Sequence, residues 1–182
     1  GIKVDQIAES ARRLKRAGIK VGFFLQFGYP GESLEDIEMT FDLVRAARPD
    51  EIGISVSYPM PGTEFYEAVR DQLGTKQNWV DSSDLDMMYA GPFTTAFYRK
   101  LHAVMHKEVE MQHAMSELWS TAKRPRSFKR RHLRRAAGLV LRALTLPIDR
   151  RTLKRLSETP HTGIGPLPRR MTHEEASRPT PE

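Results

Sequence analysis

Two glycine-proline turns, Gly28-Tyr-Pro-Gly-Glu32 and Tyr58-Pro-Met-Pro-Gly-Thr63, each following a short apolar run, constrain this chain more than any other feature. The run before the first turn, Ile19-Lys-Val-Gly-Phe-Phe-Leu-Gln-Phe27, is rich in β-branched and aromatic residues and is bounded by Gly18 and Gly28, which predicts a strand. Its near-continuous apolarity predicts that both faces are covered. Gly28 and Gly31 bracket Pro30, so the backbone turns tightly and brings its own N–H and C=O groups above the strand end. Ser33, with Asp36 three residues on, matches a capping box; Leu34, Ile37, Phe41 and Val44 then recur at helical spacing until Pro49 ends the run. A second strand is predicted over Ile52-Gly-Ile-Ser-Val-Ser-Tyr58, and Thr63 is placed to cap a short helix that runs through Leu73 and stops at Gly74.

Strand, helix, strand in that order is a βαβ unit, and in such folds ligands meet the loops at the carboxyl ends of the strands. Both glycine turns fall at those ends. The plainer alternative stays open at this point: both are ordinary connections whose glycines serve geometry alone. Glu32, Glu64 and Glu67 lie near the presumed ligand face, where carboxylates at helix starts ordinarily serve the dipole and the cap. Upstream, Val4, Ile7, Ala8, Ala11 and Leu14 form an apolar stripe, with Arg12, Arg13, Lys15 and Arg16 gathered toward the carboxyl end of the helix, and we expect it to pack on the first strand. The fold class is therefore α/β, with an αβαβα unit over residues 1–74.

Residues 75–120 read as an irregular loop around Trp79 followed by a long helix from Thr94 or Thr95 to about Ser120. Phe97, Leu101, Val104, Met105, Met111, Met115, Leu118 and Trp119 gather on one side of that helix. His102, His106 and His113 line up nearly opposite, within about 40° at 100° per residue. Their spacing lacks the glutamate of a zinc-protease helix, so a solvated stripe is expected and no metal site is assigned.

Net charge divides the chain sharply. Residues 1–120 hold 13 Lys and Arg against 18 Asp and Glu, whereas residues 121–155 hold 13 against 1. Residues 121–156 form a basic amphipathic helical segment, opened by Lys123-Arg-Pro-Arg-Ser-Phe-Lys-Arg-Arg-His-Leu-Arg-Arg135, in which Ser127 is placed to cap and Leu139, Val140 and Leu144 are expected to dock on the body. Basic plus apolar helical text is also what interfacial anchors look like, so an anionic membrane surface is a candidate partner for residues 123–146. Nucleic acid is not expected, because no aromatic platform or recognised motif accompanies the charge. Five prolines and few apolar residues predict a disordered tail over 157–182. No apolar run approaches the roughly 20 residues of a membrane span. The absence of cysteine excludes disulfides and thiolate metal sites within this chain. There is no nucleophile elbow, phosphate-binding loop or dinucleotide fingerprint.

The two turns, in this order around an acidic capped helix and a strand, resemble the late strands of a radical S-adenosylmethionine (SAM) barrel, so that the α/β unit would be part of a TIM-like barrel. The runs Asn78-Trp-Val-Asp81, Met87-Met-Tyr-Ala-Gly-Pro-Phe-Thr-Thr95 and Phe97-Tyr-Arg-Lys-Leu-His102 resemble in particular the members that carry a cobalamin-binding domain, including proteins similar to the anaerobic cyclase of magnesium-protoporphyrin monomethyl ester. The resemblance covers roughly Asp5 to Gln112. It implies a SAM or substrate face lined by Phe24, Leu25 and Gln26, by Gly28, Tyr29, Pro30, Gly31 and Glu32, and by Tyr58, Pro59, Pro61, Gly62 and Thr63. It further implies reductive SAM cleavage at a [4Fe-4S] cluster, methyltransferase or cyclase chemistry on a small, hydrophobic substrate, and a cytoplasmic setting that allows contact with the inner face of the membrane. The three-cysteine cluster motif of that family is missing, as is its cobalamin-type histidine two places after an aspartate. The expectation is thus the carboxyl-terminal part of a longer enzyme, inactive alone, whose cluster and cobalamin regions lie upstream. The reading from another class is a non-catalytic anion-binding or membrane-surface module built on the basic helix.

Overall fold

The computed structural model describes residues 3–73, 85–123 and 130–159. Along the chain come α1 (Val4–Arg16), β1 (Gly22–Phe27), α2 (Leu34–Ala47), β2 (Glu51–Val56), α3 (Glu64–Val69) with a 3-10 turn at Arg70–Gln72, α4 (Thr95–Ala122) and α5 (Arg130–Ser157). The two strands pair in parallel, in register from Gly22 opposite Glu51 to Phe27 opposite Val56. The protein is α/β and strongly helical, and the small sheet is its organising element. Trp79 and the other residues of 74–84, Ser127, and the predicted tail beyond Thr159 lie outside the described residues.

Helix α2 forms where the capping box sits: the Ser33 hydroxyl accepts the Asp36 N–H at 3.2 Å, and the Asp36 carboxylate accepts the Ser33 N–H at 2.8 Å. It ends at Arg48, a left-handed residue with φ 49°, just before Pro49. Ile37, Phe41, Val44 and Ala47 are buried. The first three share one core with Leu25 and Phe27 of β1, Ile54 and Val56 of β2, and Phe97, Tyr98, Leu101, Val104 and Met105 of α4. Helix α4 thus supplies much of the core that covers the strands.

All of those strand residues point to one side, and among the described residues no helix covers Phe24 and Gln26 on the other. Phe24 is 84% exposed, and its ring lies across Gly53, its cross-strand partner, where an added Cβ would stand 3.1 Å from the ring. A strand covered on both faces is predicted, and among the described residues only one face is covered. Composition misleads because Phe23, Phe24 and Leu25 are all apolar, while the pleat sends alternate residues to opposite faces.

Helix α1 rests mainly on α2 rather than on the strand. Ala11 meets Ala47, with Val21 and Phe23 at the lead-in to β1, while Val4 and Leu14 of the predicted stripe stay exposed. The junction beneath is tied by Asp50. Its carboxylate accepts the Val21 N–H at 2.8 Å, its own N–H donates to the Val21 carbonyl at 2.7 Å, and Lys15 of α1 stands 3.3 Å away.

Helix α5 runs antiparallel to α4, as the order of their contacts shows: Lys100 and Lys107 meet Asp149, Glu110 meets Arg142, and Glu117 meets Arg135. Leu153 is 2% exposed and enters the core, with Leu146 and Leu156 beside it. Arg150 reaches Glu108 at 2.5 Å and Glu38 at 2.8 Å while its guanidinium covers the Phe41 ring at 3.9 Å. The predicted docking through Val140 and Leu144 is overturned, since these are 59% and 68% exposed, and Leu139 is only partly buried. Docking through Asp149, Arg150 and Leu153 turns the more apolar flank of the helix outward.

Candidate functional site

Gly28 is the hub of the strand-end cluster. Its φ of +79° favours glycine, and an added Cβ would lie 2.8 Å from Val56 Cγ1, 3.1 Å from Met87 Sδ and 3.3 Å from Tyr98 Cζ. Both of its main-chain polar groups are occupied within the chain. The N–H donates to Glu32 Oε2 at 2.9 Å, and the carbonyl accepts from the Tyr89 hydroxyl. The expectation that the whole turn holds its main-chain groups toward a ligand is thus corrected at Gly28. Gly31 and Gly62 differ: at φ +86° and +84° they too favour glycine, yet nothing lies within 4 Å of an added Cβ. Their surfaces are open to an approaching ligand.

Glu32 is neither the N-cap nor a solvated helix-start acid. Its Oε2 also accepts the Tyr98 hydroxyl at 3.2 Å, so the carboxylate ties the first turn to α4. Burial pushes its carboxyl up to about 7, against the opposing pull of the hydrogen bonds from Gly28 and Tyr98. Burial, then the nearby Glu32 charge, pushes the Tyr89 and Tyr98 phenols up. The three groups form a proton-holding cluster at the carboxyl end of β1, with Glu32 poised to gain or lose its proton near neutrality.

An aromatic chain joins the two turns. Tyr29 meets Phe65 at 5.1 Å between ring centroids and Phe65 meets Tyr89 at 5.2 Å, with Tyr58 and Tyr66 packed alongside. Thr63 caps α3, its hydroxyl accepting the Tyr66 N–H at 3.1 Å and donating to the Met60 carbonyl at 2.7 Å. Pro59 is buried, while Pro61, Gly62 and Thr63 are exposed and Pro30 is half-buried. Of the strand residues assigned to the ligand face, Gln26 shares the bare side with Phe24, whereas Leu25 is 8% exposed inside the helix-covered core. The structure therefore brings together Gly28, Tyr29, Glu32 and Tyr58, and leaves Gln26 and Leu25 on opposite sides of the sheet.

Tyr89, Tyr98, Phe65 and Met87 were not assigned from sequence. Tyr98 carried a signal, because it stands three and seven residues before Leu101 and Met105 on the buried side of α4. Tyr89 sits in irregular chain, where no periodicity marks it.

The histidine stripe of α4 is partly engaged. His113 Nε2 lies 2.9 Å from the Pro49 carbonyl, and the His102 and His106 rings are 4.3 Å apart. Burial, then His106, pushes the His102 imidazole down. Among the described residues no group of three or more His, Asp or Glu side chains is placed to hold a metal ion, and no helix is long and apolar enough to cross a membrane. The chain matches no protein-family model, no curated protein and no solved structure.

Proposed function

We propose that this chain forms the late strands and carboxyl-terminal extension of a radical SAM enzyme of the cobalamin-binding type, and contributes part of the SAM or substrate face of its barrel. The observation that carries this reading is the bare side of the sheet. Two parallel strands joined through a helix, covered by helices on one face and exposing Phe24 on the other, are what a segment of an α/β barrel displays when the remaining strands are elsewhere. Both glycine turns lie at the carboxyl ends, where such barrels bind their ligands.

The fit with the family's cofactors is unequal. The chain has no cysteine and supplies no thiolate for a [4Fe-4S] cluster, so the cluster, like any cobalamin, would be held by residues outside these 182. SAM, when bound, supplies the radical-forming chemistry. What this chain offers it is surface: Phe24 and Gln26 on the bare sheet face, the open backbone at Gly31, and the exposed Pro61-Gly-Thr63 turn. Glu32, fixed by Gly28 and Tyr98, stands at the first of these turns.

Two measurements test the proposal. The coding sequence upstream of Gly1 is read, and the complete product is expressed anaerobically; iron binding and conversion of SAM to 5′-deoxyadenosine are expected, and a complete product without either overturns the reading. Within an active complete enzyme, Gly31→Val introduces a β-branched side chain at positive φ and is expected to weaken SAM binding at least tenfold. Unchanged affinity would remove this turn from the SAM face.

A further inference from the structure

Helix α5 has two faces of opposite character. The side toward α4 is polar and paired, through Arg135, Arg142, Thr145, Asp149 and Arg150, and is sealed by Leu153. On the far side Leu133, Val140, Leu141, Leu144 and Ile148 are 59%, 59%, 64%, 68% and 61% exposed. At 100° per residue they occupy an arc of about 100° and extend about 22 Å along the axis. A continuous exposed apolar stripe of this length marks an interaction surface rather than scattered exposure.

The charge around the stripe says what covers it. From Arg130 to Ser157 the helix carries nine Lys and Arg and a single acid, Asp149, which is held on the inner side by Lys100 and Lys107. Arg134, Arg151, Lys154 and Arg155 have no carboxylate partner among the described residues. Of these, Arg134 flanks the stripe, while Arg151 and Arg155 continue its line beyond Ile148. A second copy of this chain would bring the same positive charge against itself, which disfavours self-association through this face. The complementary surface is anionic outside and apolar within.

We propose that α5 is an interfacial helix that lays Leu133, Val140, Leu141, Leu144 and Ile148 into the surface of a membrane containing anionic lipid, with Arg134, Arg151, Lys154 and Arg155 at the headgroup level. Such helices bind through buried apolar area together with attraction to anionic lipid. Arg135, Arg142 and Arg150 are already tied to Glu117, Glu110, Glu108 and Glu38, so membrane contact through the outer face requires no release of α5 from α4.

The test uses the complete 182-residue chain and vesicles of phosphatidylcholine alone or with phosphatidylglycerol. Flotation with the anionic vesicles is expected to exceed that with neutral ones at least tenfold and to fall in high salt. Leu141→Gln with Leu144→Gln preserves the charge and touches no core position; it is expected to reduce binding at least tenfold with an unchanged melting curve. Because the chain has no cysteine, Leu144→Cys carries a polarity-sensitive dye at one defined place, and its emission is expected to shift to the blue on anionic vesicles. Equal flotation of the glutamine variant, or an unshifted dye, would show adsorption by charge alone and overturn the assignment of the stripe. So would capture of an acidic amphipathic peptide together with failure to bind either vesicle.

Discussion

Helices α2 and α5 both hold to the same core, and they do so by opposite means. Helix α2 sinks Ile37, Phe41 and Val44 beneath the sheet, whereas α5 anchors at Asp149, Arg150 and Leu153 and turns Leu133, Leu141 and Leu144 away. The first is held by removal of apolar surface from water, each fully buried large side chain contributing about 1.5–3 kcal/mol. The second is held by Leu153, with Leu146 and Leu156 beside it, and by a few partly buried ion pairs whose gain is largely offset by desolvation. An apolar pattern thus predicts orientation only where nothing stronger sets the rotation of the helix. Along α5 Arg150 sets it, between Glu38, Glu108 and the ring of Phe41.

The contrast breaks most severely at Phe41. Phe41→Ala leaves a cavity under the sheet and removes the ring beneath Arg150, with an expected loss of about 3–5 kcal/mol in urea unfolding. Arg150→Ala is expected to cost about 1–2 kcal/mol by leaving Glu108, whose side chain is 11% exposed, with Arg45 as its one remaining guanidinium partner among the described residues. It should also raise proteolysis within α5 while leaving α2 protected; equal loss of protection in both helices would show that they are one cooperative unit rather than two attachments of different kinds.

Glu32 sharpens the comparison from the other end of the molecule, since it is a partly buried acid with no cation beside it among the described residues. Its folded-state value of about 7 stands above the ordinary 4.5, so the folded protein keeps the proton that the unfolded chain has released. The contribution is most favourable below pH 4.5, falls as pH rises from 4.5 to 7, and is flat above. Glu32→Gln removes that fall and is expected to stabilise the protein by roughly 1–2 kcal/mol at pH 8, with little difference at pH 4. Parallel stability profiles for variant and parent across that range would show that the carboxyl is not held as described. The smallest effect belongs to the outer stripe, where Leu144→Gln should change stability by less than about 0.5 kcal/mol, a tenth of what Phe41 costs.

Much of the frame was legible before the structure. Ser33, Pro49, Thr63 and Thr94 are local devices, and each bounds an element where the residue type predicts it. What escaped depends on distance in sequence. Nothing near Phe24 says that its side of the strand is exposed, because that depends on which faces the helices cover. Nothing near Glu32 says that its carboxylate turns back to Gly28 and across to Tyr98, 66 residues away. The rotation of α5 was misjudged for the same reason: leucines announce burial by composition, while the partners that decide it, Glu38 and Glu108, lie in other helices.

The reciprocal bonding of Asp50 and Val21 also decides how the sheet comes to be paired at all. A parallel pair has no hairpin to fix its alignment, and sliding one strand by a single residue exchanges every inward side chain for an outward one. Here such a slip would carry Phe24 into the core and push Leu25 and Phe27 out. Asp50 engages both main-chain groups of Val21 immediately before the first rung, so the strands meet at a marked end and close from there in one alignment. The aspartate acts as a starting peg for assembly, and its removal is expected to slow refolding more than it weakens the finished fold.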